Sequence, residues 1–298
     1  MACELCGRDG APEPFYPRCG IVRCPSCRLV YFPGPVETEA LYGDSYFRGG
    51  EYLDYAGDEA VLKRNFRRRV RELKRFTPGG SLLEIGAAYG FFLDVARDVW
   101  QVRGLEISPE GAAHIRDVIG ADVTGGDFLD LPEEPERYDV VCMWDTVEHL
   151  SRPVRYIEKA ARALKPGGVL AMTTGDVGSL LARLRKDRWR QIHPPTHLFY
   201  FSKETLSDAV RRAGLEVCHA RHVGHSRSYK AMMHSIFVTG RRRRDVLYEI
   251  ATLGGRLDAP IYINLYDILL LIARKPEATS PRAGAATRAP LPKESLPR

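Results

Sequence analysis

Three groups of residues in this chain combine types and spacings that could do chemistry. The first is Cys3, Cys6, Cys24 and Cys27, two CxxC pairs with 17 residues between them. Each pair can fold its sulfurs toward one point through a tight turn, and four thiolates are the complement that a structural zinc ion takes tetrahedrally. With cysteine at all four positions no coordination site stays open for substrate, so the ion reads as structural. A segment of about 40 residues has little core of its own, and the metal would hold it folded. The spacing is read for metal before disulfides because MACELCGRDG lacks the basic and apolar regions of a secretory leader, which makes a reducing, cytoplasmic setting the expectation. Cys19 lies between the pairs, while Cys142 and Cys218 stand in apolar runs and read as buried core thiols.

The second group is the run LLEIGAAYG, residues 82–90, with the FFLDVA helix directly behind it and Glu106 at the tip of the next strand, 20 residues past Gly86. Glycines let the backbone approach a ligand, and a helix start offers free N–H groups, so a nucleotide-type ligand is expected. A carboxylate at the position of Glu106 can accept both hydroxyls of a ribose. A dinucleotide would call for GxGxxG against its pyrophosphate. The run here is GAAYG, which suits a ligand with a ribose, an adenine and a charged amino-acid end but no phosphate.

The third group is histidine-bearing. QIHPPTHLFYFS, residues 191–202, carries His193 and His197, and imidazole suits removal of a hydroxyl proton because it titrates near working pH. Pro194 and Pro195 rule out a helical metal pair there, leaving a proton acceptor or a polar loop that caps the next helix. DTVEHL adds Asp145, Glu148 and His149. A place in a ligand shell or at a helix start is favoured for these three over a divalent metal site.

The elements that must position these groups follow from patterning. A 44% apolar, 28% charged chain of 298 residues can bury a sizeable core, which excludes disorder for its bulk. The longest apolar runs, DVVCMW and DILLLIA, fall far short of the ~18 residues that span a bilayer, so no membrane helix is expected. From residue 81 short apolar runs alternate with helical patterns: SLLEIG, FFLDVARDVW, VRGLEI, PEGAAHIRDVIG, YDVVCMW, PVRYIEKAARAL and GGVLAMTT. That rhythm predicts βαβ units in a doubly wound, mostly parallel sheet of the α/β class. A helix from Ser202 to Gly214, a strand LEVCHARHV and a last strand YDILLLIARK complete it. The expected organisation is a zinc ribbon at 1–40, an aromatic connector and basic amphipathic helix at 41–77, and an α/β domain at 78–275. That domain carries an irregular and helical insertion at 225–264, and a proline-rich disordered tail follows at 276–298.

Five segments in order resemble the class I S-adenosylmethionine-dependent methyltransferases: LLEIGAAYG, GLEIS, GDFLDLP, YDVVCMWDTVEHL and LKPGGVLAMTT. The resemblance covers about residues 78–223 and implies a Rossmann-like sheet with an antiparallel last strand and S-adenosylmethionine as cofactor. It also implies that Glu84, Gly86, Ala87 and Gly90 line the methionine part, Glu106 holds the ribose and Ile107 packs on adenine. Asp127 and Phe128 would then meet the adenine edge, with Trp144 and Asp145 beside the cofactor. The ribbon and connector ahead of this core resemble methyltransferases of sugar, polysaccharide and secondary-metabolite pathways. DTVEHL resembles the quinone-biosynthesis O-methyltransferases, some of which use acidic and histidine ligands there for a divalent ion.

Charge bears on the acceptor. Residues 61–75 carry +7, residues 183–190 carry +4 and Arg241–Arg244 add +4, so with +6 overall the rest of the chain carries −9. Segregated basic patches on an otherwise acidic chain suggest an anionic partner, unless the arginines only solvate exposed faces. The expected activity is methyl transfer to a hydroxyl of a small or carrier-linked substrate, with His193 or His197 as base. RNA is the less favoured partner, and C- or N-methylation of a nucleotide sugar the less favoured chemistry.

Overall fold

The computed structural model describes residues 2–34, 55–228 and 260–277. Three short strands open the chain, β1 (Glu13–Tyr16), β2 (Ile21–Arg23) and β3 (Val30–Tyr31), forming an antiparallel ribbon beside the two cysteine turns. Helix α1 (Glu59–Leu73) follows, burying Val61, Val70 and Leu73 and exposing Arg64, Arg67 and Arg71, with Arg68 and Arg69 half-buried. Its amphipathic pattern is what the spacing predicts.

The core alternates strand and helix: β4 (Ser81–Ile85), α2 (Phe91–Ala96), β5 (Gln101–Glu106), α3 (Pro109–His114), β6 (Asp122–Gly125), β7 (Tyr138–Trp144), α4 (Pro153–Ala163) and β8 (Leu164–Gly175). Next come α5 (Leu180–Arg185), β9 (Phe199–Tyr200), α6 (Lys203–Arg212), β10 (Glu216–His222), β11 (His225–Ser228), β12 (Pro260–Ile263) and β13 (Ile268–Arg274). Local chemistry sets several boundaries. Pro109 and Pro153 stand in the first turn of α3 and α4, where a missing N–H costs nothing, and Ser202 caps α6 reciprocally with Thr205.

Seven strands form one sheet in the order β10-β13-β8-β7-β4-β5-β6. β8, β7, β4, β5 and β6 are parallel, and β13 runs antiparallel between β8 and β10. Central β7 is apolar on both faces, Val140 to Met143 being fully buried, as a strand covered by helices on both sides requires. The order reverses at β4, so a crevice opens beyond the carboxyl ends of β4, β5 and β7. No helix among the described residues is long and apolar enough to cross a membrane.

Two expectations need correction or limits. Cys218 is exposed rather than a core thiol, because β10 is an edge strand and Val217 takes the inward position beside a bulge. The expected irregular insertion begins and ends in an ordered pair, β11 against β12; its middle lies outside the described residues, as do most of the aromatic connector and the tail beyond residue 277. The ribbon is joined to the α/β domain. β3 pairs with β9, making a four-stranded sheet β1-β2-β3-β9, and Cys3, Leu5, Cys24 and Leu29 join the main core.

Candidate active site

The loop after β4 turns on Gly86, whose φ of +77° is open to glycine, and a Cβ there would stand 2.6 Å from Thr146 Cγ2. Glu106 ends β5 and braces that loop. Its Oε2 accepts from the Ala88 N–H at 2.7 Å and its Oε1 from the Ser108 N–H at 2.8 Å, leaving each oxygen further lone pairs toward the crevice. Helix α3 can press this close only because Gly111 lacks a side chain: a Cβ there would lie 2.6 Å from the Ala88 carbonyl oxygen. Burial pushes the Glu106 carboxyl up to about 7, against the pull of these backbone donors. Glu84, 2% exposed, lies deeper, its carboxyl raised by burial and by the charge of Glu106.

The third-motif loop is held from α4. Tyr156 Oη donates to Asp127 Oδ1 at 2.5 Å, the Leu129 N–H donates to the same oxygen at 2.7 Å, and the buried Lys159 ammonium donates to the carbonyls of Phe128 and Leu131. Asp127 Oδ2 takes no part in these bonds. Removing the tyrosine hydroxyl should loosen this carboxylate: Tyr156→Phe is expected to weaken binding of an adenosyl ligand about fivefold, roughly the worth of one hydrogen bond, as read by calorimetry.

Of the ten residues expected at the cofactor, nine line one crevice: Glu84, Gly86, Ala87, Glu106, Ile107, Asp127, Phe128, Trp144 and Asp145. Gly90 instead caps α2 in the left-handed conformation and packs on Ile115 behind the loop. Ile107 is 41% exposed, an apolar face turned into the crevice, where a flat ring can rest. Asp145 takes φ 49°, a strained value for a side chain other than glycine, which turns it into the crevice while its N–H donates to Thr173 Oγ1. Patterning did not single out Ala88, Tyr55, Phe66, Thr146 or Tyr156 as crevice residues. The backbone contact of Ala88 and the remote hydroxyl of Tyr156 leave no local mark in the sequence.

These groups fit an adenosyl donor. Glu84 Oε2 is buried without a hydrogen-bond partner among the described residues and could receive an ammonium. Glu106 can take a diol, Asp127 Oδ2 an exocyclic amine and Ile107 a purine face.

The histidines converge beside this crevice. His193 and His197 ring centroids lie 3.8 Å apart, His197 and His149 4.5 Å apart. His149 Nδ1 donates to the Thr196 carbonyl at 2.9 Å and His197 Nδ1 to the Gln191 carbonyl at 3.0 Å, since a carbonyl can only accept, so both Nε2 atoms keep their lone pairs. Burial lowers His149 to about 4 and His197 well below its ordinary value. Of the three, His149 lines the crevice and His197 is 5% exposed. Glu148, His149 and His197 place one donor atom each within 4.8 Å of the others, a set that could also hold a divalent ion.

The ribbon buttresses this cluster. The Phe32 N–H donates to the Leu198 carbonyl and the Leu198 N–H to the Glu148 carbonyl, each at 2.8 Å, tying β3 through the histidine segment to the Glu148–His149 turn. The four ribbon sulfurs lie within 4.8 Å of one another, with Cys3–Cys27 at 3.5 Å and Cys6–Cys24 at 3.8 Å. A tetrahedron with bonds of about 2.3 Å has edges of about 3.8 Å, so the thiolates fit zinc.

The sheet order, the glycine turn and the acid at the tip of β5 define a Rossmann-like methyltransferase fold. The chain belongs to the methyltransferase domain family, whose model matches residues 55–220. It is 32% identical over 142 residues to a protein of Mycolicibacterium smegmatis described as a probable S-adenosylmethionine-dependent methyltransferase, covering 47% of this chain and 53% of that one. It is 28% identical to a ubiquinone biosynthesis O-methyltransferase of Cereibacter sphaeroides, covering 46% and 61%. The chain thus spans between half and two thirds of the length of these curated relatives. In fold it is similar to a SAM-dependent methyltransferase structure from Thermotoga maritima, with a TM-score of 0.50, 22% identity and coverage of 74% of this chain and 94% of that one.

Proposed function

We propose that the chain is an S-adenosylmethionine-dependent methyltransferase that transfers the methyl group to a hydroxyl of a small or carrier-linked acceptor, and that its ribbon holds one structural zinc ion. The observation that carries this reading is the Glu106 carboxylate, fixed by two backbone N–H groups at the switch point of a sheet whose chain belongs to the methyltransferase domain family. When bound, S-adenosylmethionine supplies an electrophilic methyl carbon. Glu106, Asp127 and Ile107 orient the adenosine part, and Glu84 receives the ammonium. Tyr55 and Phe66 line the crevice and exclude water. The free cysteines fit a reducing, cytoplasmic setting.

Transfer to a hydroxyl needs a proton acceptor. His149 lines the crevice and donates from Nδ1 to the Thr196 carbonyl, so its Nε2 is the acceptor. His197 packs edge-on beside it, with His193 against His197 in turn, and the Thr196 carbonyl orients it. Similarity to the ubiquinone biosynthesis O-methyltransferase supports oxygen as the methylated atom. His149→Ala is expected to lower kcat by about 10²–10⁴-fold. Affinity for S-adenosylhomocysteine should stay within about threefold, a difference of well under 1 kcal/mol. His197→Ala should cost less.

The test of the reading is methyl transfer from tritium-labelled donor to a panel of hydroxylated and amine acceptors. Label recovered as a methyl ether supports it; label recovered only on nitrogen or carbon, or none transferred, overturns it.

A further inference from the structure

A second cavity, of about 490 Å³, lies between α1 and the end of β10. Its described lining is strongly basic: Arg68, Arg69, Arg71, Arg75 and Arg221, against a single acid, Glu72. Glu72 is already engaged, by Arg221 at 2.5 Å and by Arg75 at 3.7 Å. Arg68 lies with its guanidinium carbon 4.3 Å from the Tyr262 ring centroid and donates to Ser226 Oγ at 2.9 Å, which fixes its plane.

Arg69 is different. It makes no hydrogen bond or ion pair with any described residue, yet it is half-buried on the inner face of α1. Burial disfavours its charge, and the largest compensation is the field of Asp145, a carboxylate that lines the crevice. Arg69 therefore lines the second cavity with its donors unclaimed, within the field of a crevice carboxylate. Five guanidinium groups around one neutralised acid leave a net +4, more than a single carboxylate would balance and suited to a phosphate dianion or a diphosphate.

We propose that this cavity is the anion subsite of the acceptor, that the acceptor is a small molecule bearing a phosphomonoester or diphosphate, and that Arg69 is its principal ligand. This rests on the methyltransferase reading for the bound molecule's role as acceptor. A volume of about 490 Å³ is that of a small-molecule site. With the phosphate held here, the rest of the acceptor extends past Asp145 toward the crevice.

The test is calorimetric titration of the full chain, at physiological salt, with inorganic pyrophosphate and separately with S-adenosylhomocysteine. Pyrophosphate should bind at one site. Arg69→Ala should weaken it about 10–100-fold, the worth of one or two charge-assisted hydrogen bonds, and Arg69→Lys should restore part of the loss. Lys74→Ala, an exposed cation of the same helix outside the cavity, should leave it unchanged, as should each variant the affinity for S-adenosylhomocysteine. Absence of pyrophosphate binding, or equal losses in Lys74→Ala and Arg69→Ala, overturns the subsite. So does displacement of pyrophosphate by an unphosphorylated 12-nucleotide RNA with a steep salt dependence. If pyrophosphate binds as described and S-adenosylhomocysteine does not, the anion site stands and the methyltransferase reading fails.

Discussion

Glu106→Ala is expected to abolish measurable binding of S-adenosylhomocysteine while the protein stays folded. Two charge-assisted hydrogen bonds to a diol are worth about 1.5–3 kcal/mol each, so affinity should fall by about 10²–10⁴-fold. The side chain also ties the Ala88 and Ser108 backbone into the loop, so the loss should fall at the upper end. Glu106→Gln should not rescue it, because the amide turns an NH₂ group toward one of those backbone N–H donors. The same carboxylate sets a pH dependence. Burial places it at about 7 in the free protein, and its ionised form is the better acceptor of two hydroxyls. Affinity should therefore be highest above pH 7 and fall by up to about tenfold per unit below it. Calorimetry between pH 6 and 8.5 measures this, and a flat profile would place the diol elsewhere.

Removal of zinc is expected to have the second large effect, on turnover more than on cofactor binding. Four-cysteine sites of this kind bind zinc with about 10–16 kcal/mol, comparable to or above the whole stability of a domain. The ribbon should therefore unfold without the ion, and β9 then loses its partner strand. Because Leu198 links that strand to the carbonyl of Glu148, the loss reaches the His149 turn. A displacement near 1 Å can cost about 10²-fold in rate. Cys24→Ser or chelation should thus lower kcat by about that factor, with S-adenosylhomocysteine still bound through Glu106 and Asp127, which lie on other elements. Zinc analysis should find one ion per native chain. Full turnover in a zinc-free protein would show that ribbon and histidines are uncoupled.

Much of this was legible in the sequence where the signal is local. The two CxxC pairs meet because each closes its own turn, and YDVVCMW is a strand from its first residue to its last because an apolar run of that length fits a doubly covered sheet. Glu106 was placed by its distance from Gly86 along one βαβ unit. What escaped is carried by contacts between distant segments. β9 is two residues long and completes the ribbon from about 170 positions away, with no pattern to announce it. The sequence points to His193 and His197 as bases, but only the fold shows that His149 lines the crevice while His197 is buried against it. Cys218 is exposed against expectation because an apolar run on an edge strand still has an outward face.

The central claim is that the turn after β4 and the acid at the tip of β5 together hold an adenosyl donor. A crystal of the full chain soaked with S-adenosylhomocysteine tests it most directly. The expected density has both ribose hydroxyls on Glu106, the adenine on Ile107 and its amine at Asp127 Oδ2. A crevice that stays empty at saturating ligand, or one that takes a nicotinamide dinucleotide instead, contradicts it.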